Sequence, residues 1–163
     1  MRHLIRSLAV VAIASVALPL GGCMFWHMQR DPNTSQIFTP TLSQMETGYR
    51  MNVSNVEGVD SDFQGSLAGV TEKVKTDPGY LSMMGKYNAA KKRYDEDKSK
   101  WTTLDSWAQS VKSDPIKEDL DRLRAEGQAI NTDLGNIAVP LRLLPGELTR
   151  IQNAQQWRKV STR

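Results

Sequence analysis

The chain has 163 residues, with 21 Lys and Arg against 18 Asp and Glu, and it contains two histidines and one cysteine. A net charge of +3 is too small to neutralise a long row of phosphates, which argues against nucleic-acid binding. So few His and Cys side chains argue against a Ser-His-Asp triad, a thiolate zinc site or haem attachment. We therefore predict no catalytic residue, no cofactor and no metal ion.

Residues 1–22 have the pattern of a secretory signal peptide. Arg2 and Arg6 give a positive start, and an almost entirely apolar segment runs from Leu8 to Leu20. A membrane-spanning helix needs about 20 apolar residues, so this segment is short for a spanning anchor. Removing residues 1–22 would take away both arginines and leave 19 Lys and Arg against 18 Asp and Glu, which is close to neutral.

A short motif, Leu20-Gly21-Gly22-Cys23, ends this segment. It resembles the lipobox of bacterial lipoproteins. The resemblance implies cleavage between Gly22 and Cys23, diacylglycerol on the Cys23 thiol and an acyl group on the new amine. The single cysteine fits this interpretation, because an exported protein usually carries none or an even number. The alternatives are a plain signal peptide or a short anchor helix.

The residue after the cysteine bears on localisation. In lipoproteins of bacteria with two membranes, the absence of Asp at this position implies the outer membrane, and Met24 stands there. We therefore expect attachment through lipid on Cys23, to the outer membrane facing the periplasm rather than to the inner membrane. Two or more acyl chains make such an attachment stable.

Residues 23–39 are predicted to form a flexible, lipidated tether. Phe25 and Trp26 lie close to the cysteine, and aromatic rings of this kind favour the membrane interface. The following polar residues, with Pro32 among them, are typical of a linker. The sequence thus divides into a signal peptide (1–22), a tether (23–39) and a helical bundle domain (40–163).

From Pro40 onward, apolar residues recur at alternating spacings of three and four, which is the seam of long helices packed side by side. The alternation typical of strands is nearly absent. We predict an all-α fold: an elongated, up-down antiparallel bundle of three long helical arms, with the first and last arms broken. The two clearest seams consist of Tyr80, Met83, Tyr87, Ala90, Tyr94, Asp97, Trp101, Leu104, Ala108 and Val111, and of Ile116, Leu120, Leu123, Gly127, Ile130, Leu134 and Ile137.

Two near copies of one motif are predicted to form the turns between arms. The segments from Val74 to Pro78 and from Val111 to Pro115 each place a lysine in a last helical turn, followed by Ser or Thr, Asp and Pro. The Asp can cap the next helix, and the Pro suits its first position. Connections this short imply antiparallel neighbours.

Breaks are also predicted within the first and last arms. Gly58 can end one helix, and Ser61 with Gln64 forms a capping box for a second. Pro140 and Pro145 interrupt the last arm. We expect a break there and a short final helix from Pro145, because Pro-Gly-Glu is typical of a helix start; a kinked but continuous helix is the alternative.

The most distinctive internal feature is an aromatic stripe, which we define as Tyr80, Tyr87, Tyr94 and Trp101, spaced seven residues apart. Aromatic residues at this spacing usually form core, and we favour that interpretation. The alternative is a partly open groove, because large side chains along one stripe would splay the helices.

Asp97 falls on the same apolar seam, which is unusual for a carboxylate. We expect it to pair with a lysine or arginine across the bundle, or to lie where the seam meets water. Other carboxylates are plentiful, but acid-base chemistry requires paired carboxylates whose environments separate their pKa values. Nothing in the sequence predicts such a pair.

Together these features favour a non-enzymatic lipoprotein of the cell envelope that serves as a scaffold or protein-interaction module. Its expected partners are a membrane, through the lipid on Cys23, and another envelope protein, but not nucleic acid. The alternative is a binder of an apolar small molecule or lipid, held in an aromatic-lined groove between helices.

Overall fold

The computed structural model describes residues 32–160. Its helices are α1 (Pro32–Leu67), α2 (Glu72–Lys75), α3 (Pro78–Val111) and α4 (Lys117–Val160). No strand occurs in this described part of the chain, and three of the helices are long. The prediction of an all-α bundle with three long arms is therefore confirmed.

The long helices run up, down and up. Asn131 of α4 bonds Met45 of α1, and Arg142 bonds Asn55 further along both helices, so α1 and α4 are parallel. In contrast, Tyr87 of α3 bonds Gln64 near the end of α1, which makes α3 antiparallel to α1. The rise of 1.5 Å per residue gives the 36-residue α1 a length of about 54 Å, so the bundle is a rod.

The core follows the predicted seams. Every seam residue of α3 and α4 is buried except Val111 and Ile116, and these two are partly buried. Leu123 and Leu134 are completely buried, and burial of each such side chain contributes about 1.5–3 kcal/mol. Packing along these seams, rather than local helix propensity, therefore accounts for most of the stability of the long helices.

The first helix begins earlier than predicted. Pro32 stands at its first position, where the missing N–H of proline costs nothing, so residues 32–39 belong to α1 rather than to a tether. Phe38 is completely buried and anchors this segment in the core. The sequence pattern missed it because only one large apolar side chain of the segment faces the bundle. Residues 23–31 of the predicted tether lie outside the described residues, as does the predicted signal peptide.

The predicted break at Gly58 is wrong. Helix α1 continues through Gly58, because Val56 and Phe63 on either side of it are completely buried and hold one continuous register. Ser61 is consequently an interior residue and caps no helix. The chain turns only after Leu67, and the single helical turn α2 then places Val74 in the core.

The predicted break in the last arm is also wrong, because α4 runs through both Pro140 and Pro145. An interior proline costs a helix about 3 kcal/mol or more. Leu141, Leu144 and Leu148 nevertheless stay at most 2% exposed, and burying each one contributes about 1.5–3 kcal/mol. Packing of these leucines outweighs the loss of helical hydrogen bonds at the prolines.

The first of the two Asp-Pro turns is as predicted. Asp77 is the N-cap of α3, its carboxylate accepts a hydrogen bond of 2.8 Å from the N–H of Gly79, and Pro78 is the first helical residue. The second turn differs, since α4 begins at Lys117 and Pro115 precedes the helix. There the N–H of Ile116 donates to the carboxylate of Asp119 at 3.0 Å.

Candidate functional site

The aromatic stripe is buried in the centre of the bundle, at 9% exposure for Tyr80, 8% for Tyr87, 3% for Tyr94 and 6% for Trp101. Its rings pack against aromatic side chains of α1. Tyr49 stacks on Trp101 with ring centroids 4.5 Å apart and planes 9° from parallel, and Phe63 meets Tyr87 at 5.0 Å. The structure thus places the stripe in the core, between α1 and α3.

The tyrosine hydroxyls extend from this core to polar side chains on α1. Tyr87 donates to Asp60 at 2.8 Å and accepts from the Gln64 amide at 2.5 Å. Tyr94 donates to Glu57 at 2.6 Å. Each ring is therefore buried while its hydroxyl is satisfied at the edge of the bundle.

These contacts keep the tyrosines protonated. Burial, aided by the Glu57 carboxylate, raises the pKa of Tyr94, and burial with the Asp60 hydrogen bond raises the pKa of Tyr87. The hydrogen bond from Tyr94 lowers the pKa of Glu57 in turn. The hydroxyls are weak acids that serve the fold, because each keeps its proton and donates a hydrogen bond to a carboxylate.

Lysines of α3 complete this edge. Lys91 pairs with Asp60 at 3.1 Å and Lys98 with Glu57 at 3.5 Å. The same two ammonium groups lie 5.1 and 5.2 Å from the centre of the Tyr94 ring. The result is a structural network of tyrosine, carboxylate and lysine that joins α1 to α3.

Asp97 is the one carboxylate of the described residues that is almost wholly buried, at 2% exposure. Its Oδ1 accepts from Lys100 at 2.7 Å, whereas its Oδ2 has no hydrogen-bond partner in the described part of the chain. The hydrogen bond to Asp97 raises the pKa of Lys100. The expected partner across the bundle is therefore replaced by a lysine one turn along the same helix.

Sequence reasoning missed a half-buried amide pair between α1 and α4. Asn52 donates to the backbone oxygen of Asn131 at 3.1 Å, and Asn131 donates to the backbone oxygen of Met45 at 3.2 Å. Gly48 allows the close approach, since an added Cβ would lie 3.3 Å from the Asn131 amide. The available signal was Asn131 itself, which directly follows a core isoleucine.

A polar cleft of about 300 Å³ lies at one end of the rod, between the last turns of α4 and the α1–α2 turn with α2. We call it the distal cleft. Amide side chains line it on α4, and the opposite wall is formed by a short segment around α2; the lining residues are Gln152, Asn153, Gln155 and Gln156, and Gly69, Thr71, Lys73 and Val74. No sequence motif predicted this cleft, because its two walls are distant in the chain.

Asp77 holds one side of the distal cleft in place. Besides capping α3, its carboxylate accepts from the Gln155 amide at 2.6 Å, and Arg158 lies 3.6 Å away. The hydrogen bond from the Gly79 N–H, followed by that from Gln155, lowers the pKa of Asp77. The carboxylate therefore stays charged and ties the end of α4 to the start of α3.

Within residues 32–160, no group of three or more His, Cys, Asp or Glu side chains could hold a metal ion. No helix in the same part of the chain is both long and apolar enough to cross a membrane. Cys23 and Gly22, the predicted lipidation and cleavage residues, lie outside the described residues. Comparisons with known protein families, curated proteins and solved structures find no match for this chain.

Proposed function

We propose that this chain is a lipid-anchored lipoprotein of the cell envelope, and that its helical rod is a non-enzymatic scaffold for another envelope protein. The observation that carries the proposal is a lipobox-like motif a short distance before a rod. Nine residues, Cys23 to Asp31, precede the first residue of α1. Fully extended, they would span about 30 Å at most, so an anchored rod would start close to the membrane.

The positions of the two ends of the rod support a role in holding one end of the protein away from the membrane. The start of α1 lies at the same end as the α3–α4 turn, because α1 and α4 are parallel. The α1–α2 turn and the last turns of α4 lie at the other end, about 50 Å away by the length of α1. Lipid on Cys23 would thus hold one end near the outer membrane and leave the distal end in the periplasm.

The outer faces of the helices offer contacts for a protein partner. Val139 and Leu143 lie one turn apart on α4 and are 59% and 66% exposed. Exposed apolar side chains that cluster on a surface often mark a protein interface. The α4 face around these residues is therefore the part of the rod that we assign to the partner.

The aromatic stripe does not favour the alternative of an apolar ligand between the helices. Such a binder needs an open groove along the stripe, but Tyr94 and Trp101 are 3% and 6% exposed. The lining of the distal cleft includes no stripe residue. We therefore do not propose an apolar ligand as a second function.

Labelling with a fatty acid tests the anchor. The parent should incorporate labelled fatty acid and be cut to its mature size, and Cys23→Ala should do neither. The matched control is the double variant Cys23→Ala with Ser35→Cys, which keeps a single thiol at an exposed position of α1. Label on either variant at the level of the parent would contradict the proposal.

Site-directed photo-crosslinking in cells tests the scaffold role. A photoreactive residue at Leu143 should give one defined crosslinked protein, whereas the same residue at Asn88, exposed on α3, should not. Equal crosslinking at both positions would show non-specific contact and would argue against a partner on α4. The same result in cells that carry Cys23→Ala would show that the partner does not require the anchor.

A further inference from the structure

The distal cleft has the size of a small-molecule site. Its volume of about 300 Å³ lies at the lower end of the range for small-molecule pockets, enough for one sugar ring but too little for a helix. It lies at the junction of α1, α2, α3 and α4, where Asp77 joins the start of α3 to the end of α4. Ligand sites commonly occupy such concave junctions.

The α4 wall of the distal cleft presents amide groups that the protein itself does not use. Gln152, Asn153 and Gln156 make no side-chain hydrogen bond to any other described residue. Each amide group carries two donor hydrogens and one acceptor oxygen close to each other. Their natural complement is a ligand whose neighbouring groups both donate and accept, as hydroxyl groups do.

One of these amides is already oriented. The Gln155 nitrogen donates to the Asp77 carboxylate, which as an ion can only accept, so the amide orientation is determined. The Gln155 carbonyl oxygen is then left as an acceptor for the cleft. Asp77 is itself fixed by its hydrogen bond from the Gly79 N–H, so the Gln155 side chain is already ordered in the free protein. A ligand that bonds Gln155 therefore does not have to offset the entropy cost of ordering this side chain.

The rest of the lining adds apolar contact and space. Val74 forms part of the wall. An added Cβ at Gly69 would meet nothing within 4 Å, so this wall leaves open space rather than filling it.

We infer that the distal cleft binds a neutral saccharide. Lys73 is the one charged residue of its lining, and no carboxylate contributes, which favours an uncharged, hydroxyl-rich ligand over an ionic one. A peptide fits less well. Peptides usually dock on a strand edge or in an apolar groove, and the described residues contain no strand and place amides along this cleft.

The inference rests on the cleft alone and does not depend on lipidation of Cys23. In an anchored protein, the cleft would be presented at the end of the rod away from the membrane. A failure of fatty-acid labelling would therefore leave saccharide binding intact, and a failure of saccharide binding would leave the anchor intact.

Calorimetric titration of the full chain in detergent tests the inference. The probes are neutral tetrasaccharides of N-acetylglucosamine, glucose and mannose, with an uncharged tetrapeptide as the competing ligand class. We expect at least one saccharide to bind with a millimolar or tighter dissociation constant and the peptide not to bind. Absence of binding by all three saccharides, or tighter binding of the peptide, would overturn the inference.

Variants then place the binding in the cleft. Gln152→Ala and Gln156→Ala should each weaken it by about three- to tenfold, the range for one lost hydrogen bond, and Gly69→Leu should abolish it by filling the open wall. Asn136→Ala removes an exposed amide of α4 outside the cleft and is the matched control. Unchanged binding in both glutamine variants, or an equal loss in the control, would place the ligand elsewhere and refute the assignment.

Discussion

The two kinds of interface in this bundle are built differently. Helix α4 packs closely against both α1 and α3 through aliphatic side chains and the small Gly127, whereas few backbone positions of α1 approach α3. Large rings fill the space between α1 and α3, with tyrosine hydroxyls bonded to carboxylates at its edge. The aromatic interface, between α1 and α3, is thus built from large rings whose hydroxyls meet carboxylates, whereas the α4 interfaces combine smaller side chains with separate polar contacts such as that between Asn52 and Asn131.

This difference shows that helix pairs with different spacings can coexist in one bundle. Bulky aromatic side chains set a wider spacing between α1 and α3, and α4 fills the remaining side of the bundle with leucine and isoleucine. Each hydroxyl that reaches the edge restricts how far the two helices can slide past each other. We therefore expect the aromatic interface to determine register, and the α4 interfaces to contribute most of the apolar burial.

The largest effect is expected from Trp101→Ala, which removes the ring stacked on Tyr49. Truncation of a buried aromatic residue costs about 3–5 kcal/mol, a large part of the stability of a small domain. Trp157→Ala, at a position 72% exposed, is the matched control and should stay within about 0.5 kcal/mol. Urea unfolding measures the free energy of unfolding of both variants. Equal losses of stability in the two variants would contradict a buried stripe.

On the α4 side, Leu134→Ala should cost about 2–5 kcal/mol, because the side chain is completely buried. Leu143→Ala makes the same chemical change at a position 66% exposed and should be close to neutral. Thermal melting distinguishes the two. A larger loss of stability in the Leu143 variant than in the Leu134 variant would mean that α4 faces the bundle in a different register.

Replacing Asp97 with leucine should raise stability by about 1–3 kcal/mol. The substitution removes a buried carboxylate oxygen that has no partner in the described part of the chain. Lys100, which loses its ion pair, keeps a side chain that is 58% exposed and can be hydrated. Asp97→Asn, which keeps the polar group, is the control; destabilisation by leucine would show that the carboxylate has an essential partner.

Tyr94→Phe should cost about 0.5–1.5 kcal/mol through loss of the hydrogen bond to Glu57. The control is Tyr80→Phe, since the Tyr80 hydroxyl makes no side-chain hydrogen bond to another described residue. Because the folded protein holds the Tyr94 proton more tightly than the unfolded chain, stability should fall as pH rises above the ordinary tyrosine pKa of 10.0. Tyr94→Phe should weaken that fall, and an unchanged alkaline profile would contradict the burial of this hydroxyl.

The sequence predicted the long helices and the core of α3 because a regular apolar seam carries that information residue by residue. It was wrong at Gly58, Pro140 and Pro145, where local helix-breaking signals were weighed without the packing on either side. At all three, completely or almost completely buried neighbours such as Phe63 and Leu141 keep the helix continuous. At these positions tertiary packing outweighs the local preference against helix. The sequence alone does not show how extensive that packing is.

The polar features were harder to predict for a related reason. Asp97 could be singled out because it interrupts an apolar seam, but its partner depended on the lysine rotamer. The distal cleft was not predictable, since Thr71 and Gln156 come together only when α1 and α4 run parallel. Asp77 is the exception, because its capping role followed from the Asp-Pro motif and its second contact, with Gln155, builds on that position.

Energy transfer from labels on the rod to a dye in the bilayer tests the central claim of a lipid-anchored rod. With the lipidated protein in vesicles, a label at Ser113→Cys reports on the α3–α4 turn and a label at Ala68→Cys on the α1–α2 turn; both positions are exposed. We predict efficient transfer from position 113 and almost none from position 68, which the length of α1 places about 50 Å further along the rod. Equal transfer from the two positions would contradict an end-on anchored rod.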